Sequence, residues 1–370
     1  MALQDTSKTD LGFQTAGQHL WLDHIERLAI SGRPFLNQVE DRSITGLSLT
    51  PHALLMTLSR GEVYDREISA KIEDGLCGET LAVDLIIEDA CAAADLVRGI
   101  FDSSGGKDGW VALPASPLNL AEPEGLKKST IALYARLSRP NILISIPGLP
   151  EYHELIKELV TAGIPINISL ICSNDQFMTV AEAYVRAIEE RIKKGRNPNV
   201  TVFISISVSQ LSDALSEDMT RETAVAVSLA EAAKIYKAMR RLQASQRWRQ
   251  TDKAGARFLR LIWVNSVDEP ATDPVYDRAD LFFAPHTVTS LSASSLGKLL
   301  NGQYSLVAIS TNSNDTGERH TGGEKNKVNV ESLSVSLQKE LVERQVKTWI
   351  MMLDMLAHRS AALVRIKHNY

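Results

Sequence analysis

The chain has little of several things. It holds three cysteines, Cys77, Cys91 and Cys172. They form no CxxC pair, no metal-binding spacing and no disulfide framework, which points to a reducing compartment, the cytoplasm. No His/Asp/Glu spacing suggests a built metal site. No apolar run approaches the roughly 18 residues needed to span a bilayer, and the polar start "MALQDTSKTD" has no apolar stretch typical of a secretory leader. There is no excess of basic charge: the net charge is −5, so a nucleic-acid partner is not expected. No glycine-rich phosphate loop is convincing, and no internal repeat is visible. These absences leave a soluble intracellular globular protein with no nucleic-acid or membrane partner; the further expectations are a small-molecule substrate, no cofactor, and a monomer or homodimer.

A full core is affordable, because 44% of the 370 residues are hydrophobic. Eight short β-rich runs recur at 19–23, 45–50, 109–115, 141–146, 166–171, 201–208, 259–266 and 280–285. Helical patterns follow them. "EYHELIKELVTAG" puts Leu155, Ile156, Leu159 and Val160 at helical spacing and stops at Gly163. "SNDQFMTVAEAYVRAIEERIKKG" opens with Ser173 as an N-cap and closes on lysines and Gly195. The stretch from Pro51 to Lys107 is too long for one crossover and predicts several helices. Strands alternating with helices imply right-handed βαβ units, and eight such units predict a single closed (β/α)8 barrel. The expected organisation is a tail over 1–16, the barrel over 17–310, a polar mobile loop over 311–329 and one long amphipathic helix over 330–370 packed on the barrel.

The run "NILISIPG" at 141–148 raises the functional question, since Ser145 interrupts a buried strand. The segments "WLDHIER", "GLSLTP", "IEDACAAADLVRGIFDSSGGKDGWVALPASP", "RPNILISIPGLPEYHELIKELVTAGIPINISLICS", "AEAYVRAIEERI" and "HTVTS", in this order, resemble a transaldolase. The resemblance spans most of residues 17–310. It implies a (β/α)8 barrel of the aldolase superfamily that moves a dihydroxyacetone unit between sugar phosphates through a lysine Schiff base.

The resemblance also maps the family's site onto this chain, where its parts differ. The fourth-strand motif near "IKVPAT" reads "ISIPGL", so the lysine falls on Ser145, and a hydroxyl cannot form an imine. The third-strand motif near "LEVSP" reads "LPASP", so the glutamate falls on Pro114. "TSNPT" reads "SLTPH", with Thr50 in place of asparagine. "FVSRVD" reads "SVSQLS", with neutral Gln210 where an arginine binds phosphate. "STGTKNP" becomes "NSVDEP", which brings in the acids Asp268 and Glu269, more simply a solvated loop. Asp23, Asn167 and Ser209 match family positions, and Ser169 replaces a threonine with another hydroxyl.

Sites in this fold lie at the carboxyl ends of the strands. The candidate catalytic residues are Asp23, His52 and His286, the last read as ending the eighth strand. The candidate substrate-binding residues are Ser48, Thr50, Ser145, Asn167, Ser169, Ser207, Ser209, Gln210 and Asn265, with Ser205 on the same strand ends. Each has a plainer explanation: Asp23 as a turn cap, the histidines as loop residues, the serines as volume fillers. Three functions follow. One is a repurposed, cofactor-independent enzyme of carbohydrate or specialised-metabolite biosynthesis, doing aldol, elimination, isomerisation or cyclisation chemistry on an unphosphorylated carbonyl compound by acid and base groups. Another is a genuine pentose-phosphate transaldolase with a displaced lysine such as Lys127 or Lys128. The third is a non-catalytic relative that binds a ligand or partner.

Overall fold

A computed structural model describes residues 17–30, 32–41, 43–120, 122–265, 281–300, 306–308 and 329–368. The expected tail over 1–16, almost all of the expected loop over 311–329, and Asp268 and Glu269 lie outside the described residues. Ten strands are present among the described residues: β1 (His19–Leu22), β2 (Gly46–Ser48), β3 (Trp110–Pro114), β4 (Ile142–Pro147), β5 (Ile166–Ile171), β6 (Val202–Ile206), β7 (Arg260–Val264), β8 (Leu281–Phe283), β9 (Val288–Leu291) and β10 (Leu306–Ala308). Eight of them close a barrel in the order β1-β2-β3-β4-β5-β6-β7-β9. The fold is a (β/α)8 barrel with surrounding helices and a 39-residue C-terminal helix, Val330–His368.

One strand assignment needs correction. The apolar run 280–285 was expected to be the eighth barrel strand. Instead β8 pairs in parallel with β10 in a separate two-stranded sheet, and β9 closes the barrel beside β7. The reason is polar. β9 reads "VTSL", less apolar than "DLFFAP", so hydrophobicity favours the wrong run. Its Thr289 hydroxyl is buried and accepts from Gln18 Nε2 at 2.7 Å, and Thr287 just ahead of the strand accepts from Trp263 Nε1 at 3.0 Å.

The Cα framework divides into two compact units, Met1–Trp21 with Ile146–Glu340, and Leu22–Ser145 with Leu341–Tyr370. In the first, β5 and β6 are almost wholly buried, as strands covered on both sides are, with Asn167, Ser169 and Ser205 the polar interruptions. Ser173 caps the helix Asn174–Lys193 through Gln176 N–H, and Gly163 ends the helix His153–Ala162 at φ 93°, both as the sequence predicts. β5 slips register between Ile168 and Ile171, with Leu170 at φ 61°. Gln338 of the C-terminal helix is buried there and donates from Nε2 to the carbonyls of Gly148 (3.0 Å) and Leu170 (2.9 Å). A side-chain amide thus satisfies two buried acceptors that the sheet leaves over.

In the second unit the stretch after Pro51 forms four helices, Pro51–Arg60, Asp65–Glu73, Gly78–Leu96 and Arg98–Ser103. Leu54, Leu58, Tyr64, Ile68, Leu81 and Leu85 pack there against Trp349, Met352 and Leu356 of the C-terminal helix. Arg359 pairs with Asp65 at the edge, Nε to Oδ1 at 2.6 Å. Beneath this core lies a charged centre. Asp89 Oδ1 accepts from Arg27 Nε at 2.6 Å, Asp89 Oδ2 accepts from Tyr64 O–H at 2.5 Å, and the Arg27 guanidinium stacks 4.5 Å from the Tyr64 ring centroid. Burial pushes the Asp89 carboxyl above its usual range against the opposing pull of Tyr64 and Arg27. Asp89→Ala would strip a partly buried guanidinium and a buried phenol of their acceptor. Removing one partner of a buried pair typically costs about 3–5 kcal/mol. Arg27 keeps Glu67 and Glu88 within 3.2 Å and 3.1 Å, so a loss near 3 kcal/mol is expected in urea unfolding; a change below about 1 kcal/mol would show that the acids around Arg27 replace Asp89.

Candidate functional site

In the second unit, β1 ends at Leu22 and Asp23 follows it directly. The Asp23 carboxylate is buried, and Oδ1 accepts from the backbone N–H of His24 at 2.9 Å. His24 has φ 54°, a left-handed conformation uncommon for a residue with a Cβ. That turn swings its half-buried ring toward the end of β2. There Nδ1 lies 2.7 Å from Thr50 Oγ1, and Nε2 lies 3.8 Å from Asp23 Oδ2. The 3.8 Å separation is an ion-pair distance, longer than a hydrogen bond. Thr50 is also the N-cap of the helix Pro51–Arg60: its oxygen accepts from Ala53 N–H at 3.4 Å, and Pro51 occupies the first turn. His52 stands in the same turn, its ring edge-on to that of His24 with centroids 5.6 Å apart.

Asp23, Thr50 and His52, all singled out from the sequence, therefore meet around His24, which was not. The only signal for His24 was its place beside Asp23 in "WLDHIER". A left-handed turn after the strand brings the two side chains to one side, and periodicity cannot foresee that. Ser48 is half-buried at the end of β2. Ser145 pairs in register with Pro114 and is the one residue of β4 that is not fully buried, while Ile144 and Ile146 beside it are completely covered. Ser145 and Pro114 share a face of the sheet, because registered residues in a parallel pair point the same way. The neighbouring β3 position thus presents an imino-acid ring and no ionisable group.

In the first unit the expected residues follow the same alternation. Asn167 and Ser169 share a face of β5, and Ser169 alone on that strand is not fully buried. Ser205 donates to Asn167 Oδ1 at 2.8 Å, so the amide is held by its neighbour strand. Ser207 is buried at the start of the helix Val208–Leu215; Ser209 and Gln210 are half-buried in that helix's first turn. Burial pushes the Cys172 thiol up to about 12 although Ser207 bonds to it, which makes it a poor nucleophile. Asn265 follows β7, buried, with Nδ2 3.4 Å from the carbonyl of Trp263. His286 is the misplaced candidate. It is exposed at φ 64°, ahead of β9 rather than at its end, with its N–H donating to Gly17 O at 2.9 Å. It therefore sits at the amino end of its strand, the end opposite to the one where barrel enzymes work.

Among the described residues no group of histidine, cysteine, aspartate and glutamate is arranged to hold a metal, and no helix is long and apolar enough to cross a membrane.

Residues 20–350 match the family model for transaldolase/fructose-6-phosphate aldolase. Among curated proteins the chain is similar to a transaldolase of Thermobifida fusca, 27% identical over 365 residues that cover 94% of this chain and 97% of that one. It is similar to a transaldolase of Trichodesmium erythraeum at 26% identity over 299 residues, 76% of this chain and 78% of the relative. A transaldolase of Renibacterium salmoninarum is 25% identical over 349 residues, 92% and 93% of the two chains.

Proposed function

Because the chain belongs to the transaldolase/fructose-6-phosphate aldolase family yet carries Ser145, Pro114 and Gln210 where the resemblance expects a lysine, a glutamate and an arginine, we propose that it works without a Schiff base. The reading is a cofactor-independent enzyme that uses proton transfer on a neutral, unphosphorylated carbonyl compound. The observation that carries it is the Asp23–His24–Thr50–His52 cluster at the carboxyl ends of β1 and β2. A carboxylate and two imidazoles are side chains that can give and take a proton. Aldol cleavage, isomerisation and elimination all begin by moving a proton next to a carbonyl, so this set supports any of them. Specialised-metabolite or carbohydrate biosynthesis in the cytoplasm fits such a repurposed barrel.

The reading of a working transaldolase needs a lysine near the strand ends. Lys127 and Lys128 lie on the outer helix Pro123–Leu137, and Lys127 pairs with Glu124 at 2.9 Å, which favours the proton-transfer reading.

The test is hydrogen exchange. Small unphosphorylated hydroxyketones are incubated with the protein in D2O and followed by proton NMR. Exchange at the carbon beside the carbonyl is expected, and prior treatment with ketone and borohydride should leave it intact. Exchange that borohydride abolishes, with the ketone fixed to a lysine, would overturn the reading. So would no exchange across a panel of three- to six-carbon ketones.

A further inference from the structure

We propose that Thr50 is a nucleophile activated by His24 and Asp23, so that the ends of β1 and β2 form an acyl-transfer centre for activated esters. The proposal uses the strand ends of the acid–base reading but not its chemistry. Three observations carry it. First, the Thr50 hydroxyl is 2.7 Å from His24 Nδ1, within reach of direct proton transfer. Second, the other imidazole nitrogen faces the Asp23 carboxylate at 3.8 Å, which favours the tautomer with its proton on Nε2 and the lone pair on Nδ1. Nucleophile, base and orienting acid thus stand in sequence, the logic of hydroxyl nucleophiles generally. Third, His24 holds a left-handed backbone, φ 54°, which is strained for a residue with a Cβ. Strain of this kind collects at functional sites, and here its effect is to bring the imidazole onto Thr50.

Helix capping alone does not account for the arrangement. The cap bond to Ala53 N–H is long, 3.4 Å, and uses a lone pair of the hydroxyl oxygen. With the imidazole proton on Nε2, this leaves the hydroxyl to donate to His24 Nδ1. The resemblance places asparagine at this position, which caps a helix as well as threonine does but has no nucleophilic oxygen of this kind.

The chemistry balances without a further reactant. The Thr50 oxygen bonds to the ester carbonyl carbon as its proton passes to His24 Nδ1. The tetrahedral intermediate collapses, the bond to the alcohol oxygen breaks, and the alcohol takes the proton from Nδ1. Water then attacks the acyl-Thr50 carbonyl and gives a proton to Nδ1. The bond to Thr50 breaks and its oxygen recovers the proton. The net change is ester plus water to acid plus alcohol.

The test uses the full chain with a fluorophosphonate and with p-nitrophenyl acetate. The fluorophosphonate should lose fluoride and leave a phosphonyl group on the peptide containing Thr50, located by mass spectrometry. Ester hydrolysis should fall roughly 10²-fold or more in Thr50→Asn and in His24→Gln, the low end of what a positioned general base contributes. Thr50→Ser should keep both reactions. Thr50→Asn retains a strong N-cap, so an unchanged thermal midpoint separates lost chemistry from lost folding. A phosphonyl group on any other residue, no adduct, or Thr50→Asn hydrolysing as fast as the parent would each overturn the proposal. Ketone exchange is read by NMR and acylation by mass, so failure of one is distinguished from failure of the other.

Discussion

Mixed with fructose 6-phosphate and erythrose 4-phosphate, the protein is expected to transfer no dihydroxyacetone unit, and borohydride should trap no ketose on it. An imine needs an amine, and the position that the resemblance assigns to the amine is Ser145. Without the imine, carbon–carbon cleavage lacks its electron sink, and the deficit against a working enzyme is roughly 10⁶-fold or more, the lower range of enzymatic rate enhancement. Ser145→Lys should not restore the activity. Pro114 is the registered neighbour of Ser145 on β3 and has no group that moves a proton, and Gln210 cannot hold a phosphate as a guanidinium does. A lysine-borne adduct on the unaltered protein, found by mass spectrometry after borohydride, would refute this, and its position would identify the displaced amine.

Asp23→Asn is expected to slow ketone hydrogen exchange by roughly 10²–10⁴-fold, the usual contribution of a positioned acid or base, while leaving the thermal midpoint nearly unchanged. The two halves of this expectation have separate causes. Asp23 Oδ1 accepts from His24 N–H at 2.9 Å, and the asparagine carbonyl oxygen accepts the same bond, so the left-handed turn at His24 survives. What is lost is the negative charge beside the imidazole, 3.8 Å from Nε2. Without it the ring is no longer held in one tautomer or stabilised when protonated. A rate within a few-fold of the parent would make Asp23 a turn cap and shift attention to His52. A lowered thermal midpoint together with a lowered rate would be resolved by Asp23→Glu, which restores charge at the cost of one methylene.

Much of this molecule was legible from residue order alone. β-branched runs such as "ILISIP" and "INISLI" are buried on both faces and read as interior parallel strands, because they are short, β-branched and largely apolar with few polar interruptions. Ser173, Gly163 and Pro51 marked helix ends through local capping and backbone limits, which depend on a few neighbouring residues only. The assignment of the family's lysine, glutamate and arginine to Ser145, Pro114 and Gln210 is likewise a reading of residue identities, made on the resemblance. Tertiary structure alone decided the eighth strand and the site's centre. The run from Thr287 into β9 carries hydroxyls that a hydropathy pattern counts as loop, and the burial of Thr287 and Thr289 is tolerable because Trp263 and Gln18, distant in sequence, complete their hydrogen bonds. That choice moved His286 from the end of a strand to its beginning. His24 became the centre of the cluster through one positive φ and the meeting of two strand ends, 26 residues apart in the chain. No local propensity encodes that contact, since it exists only once β1 and β2 lie side by side.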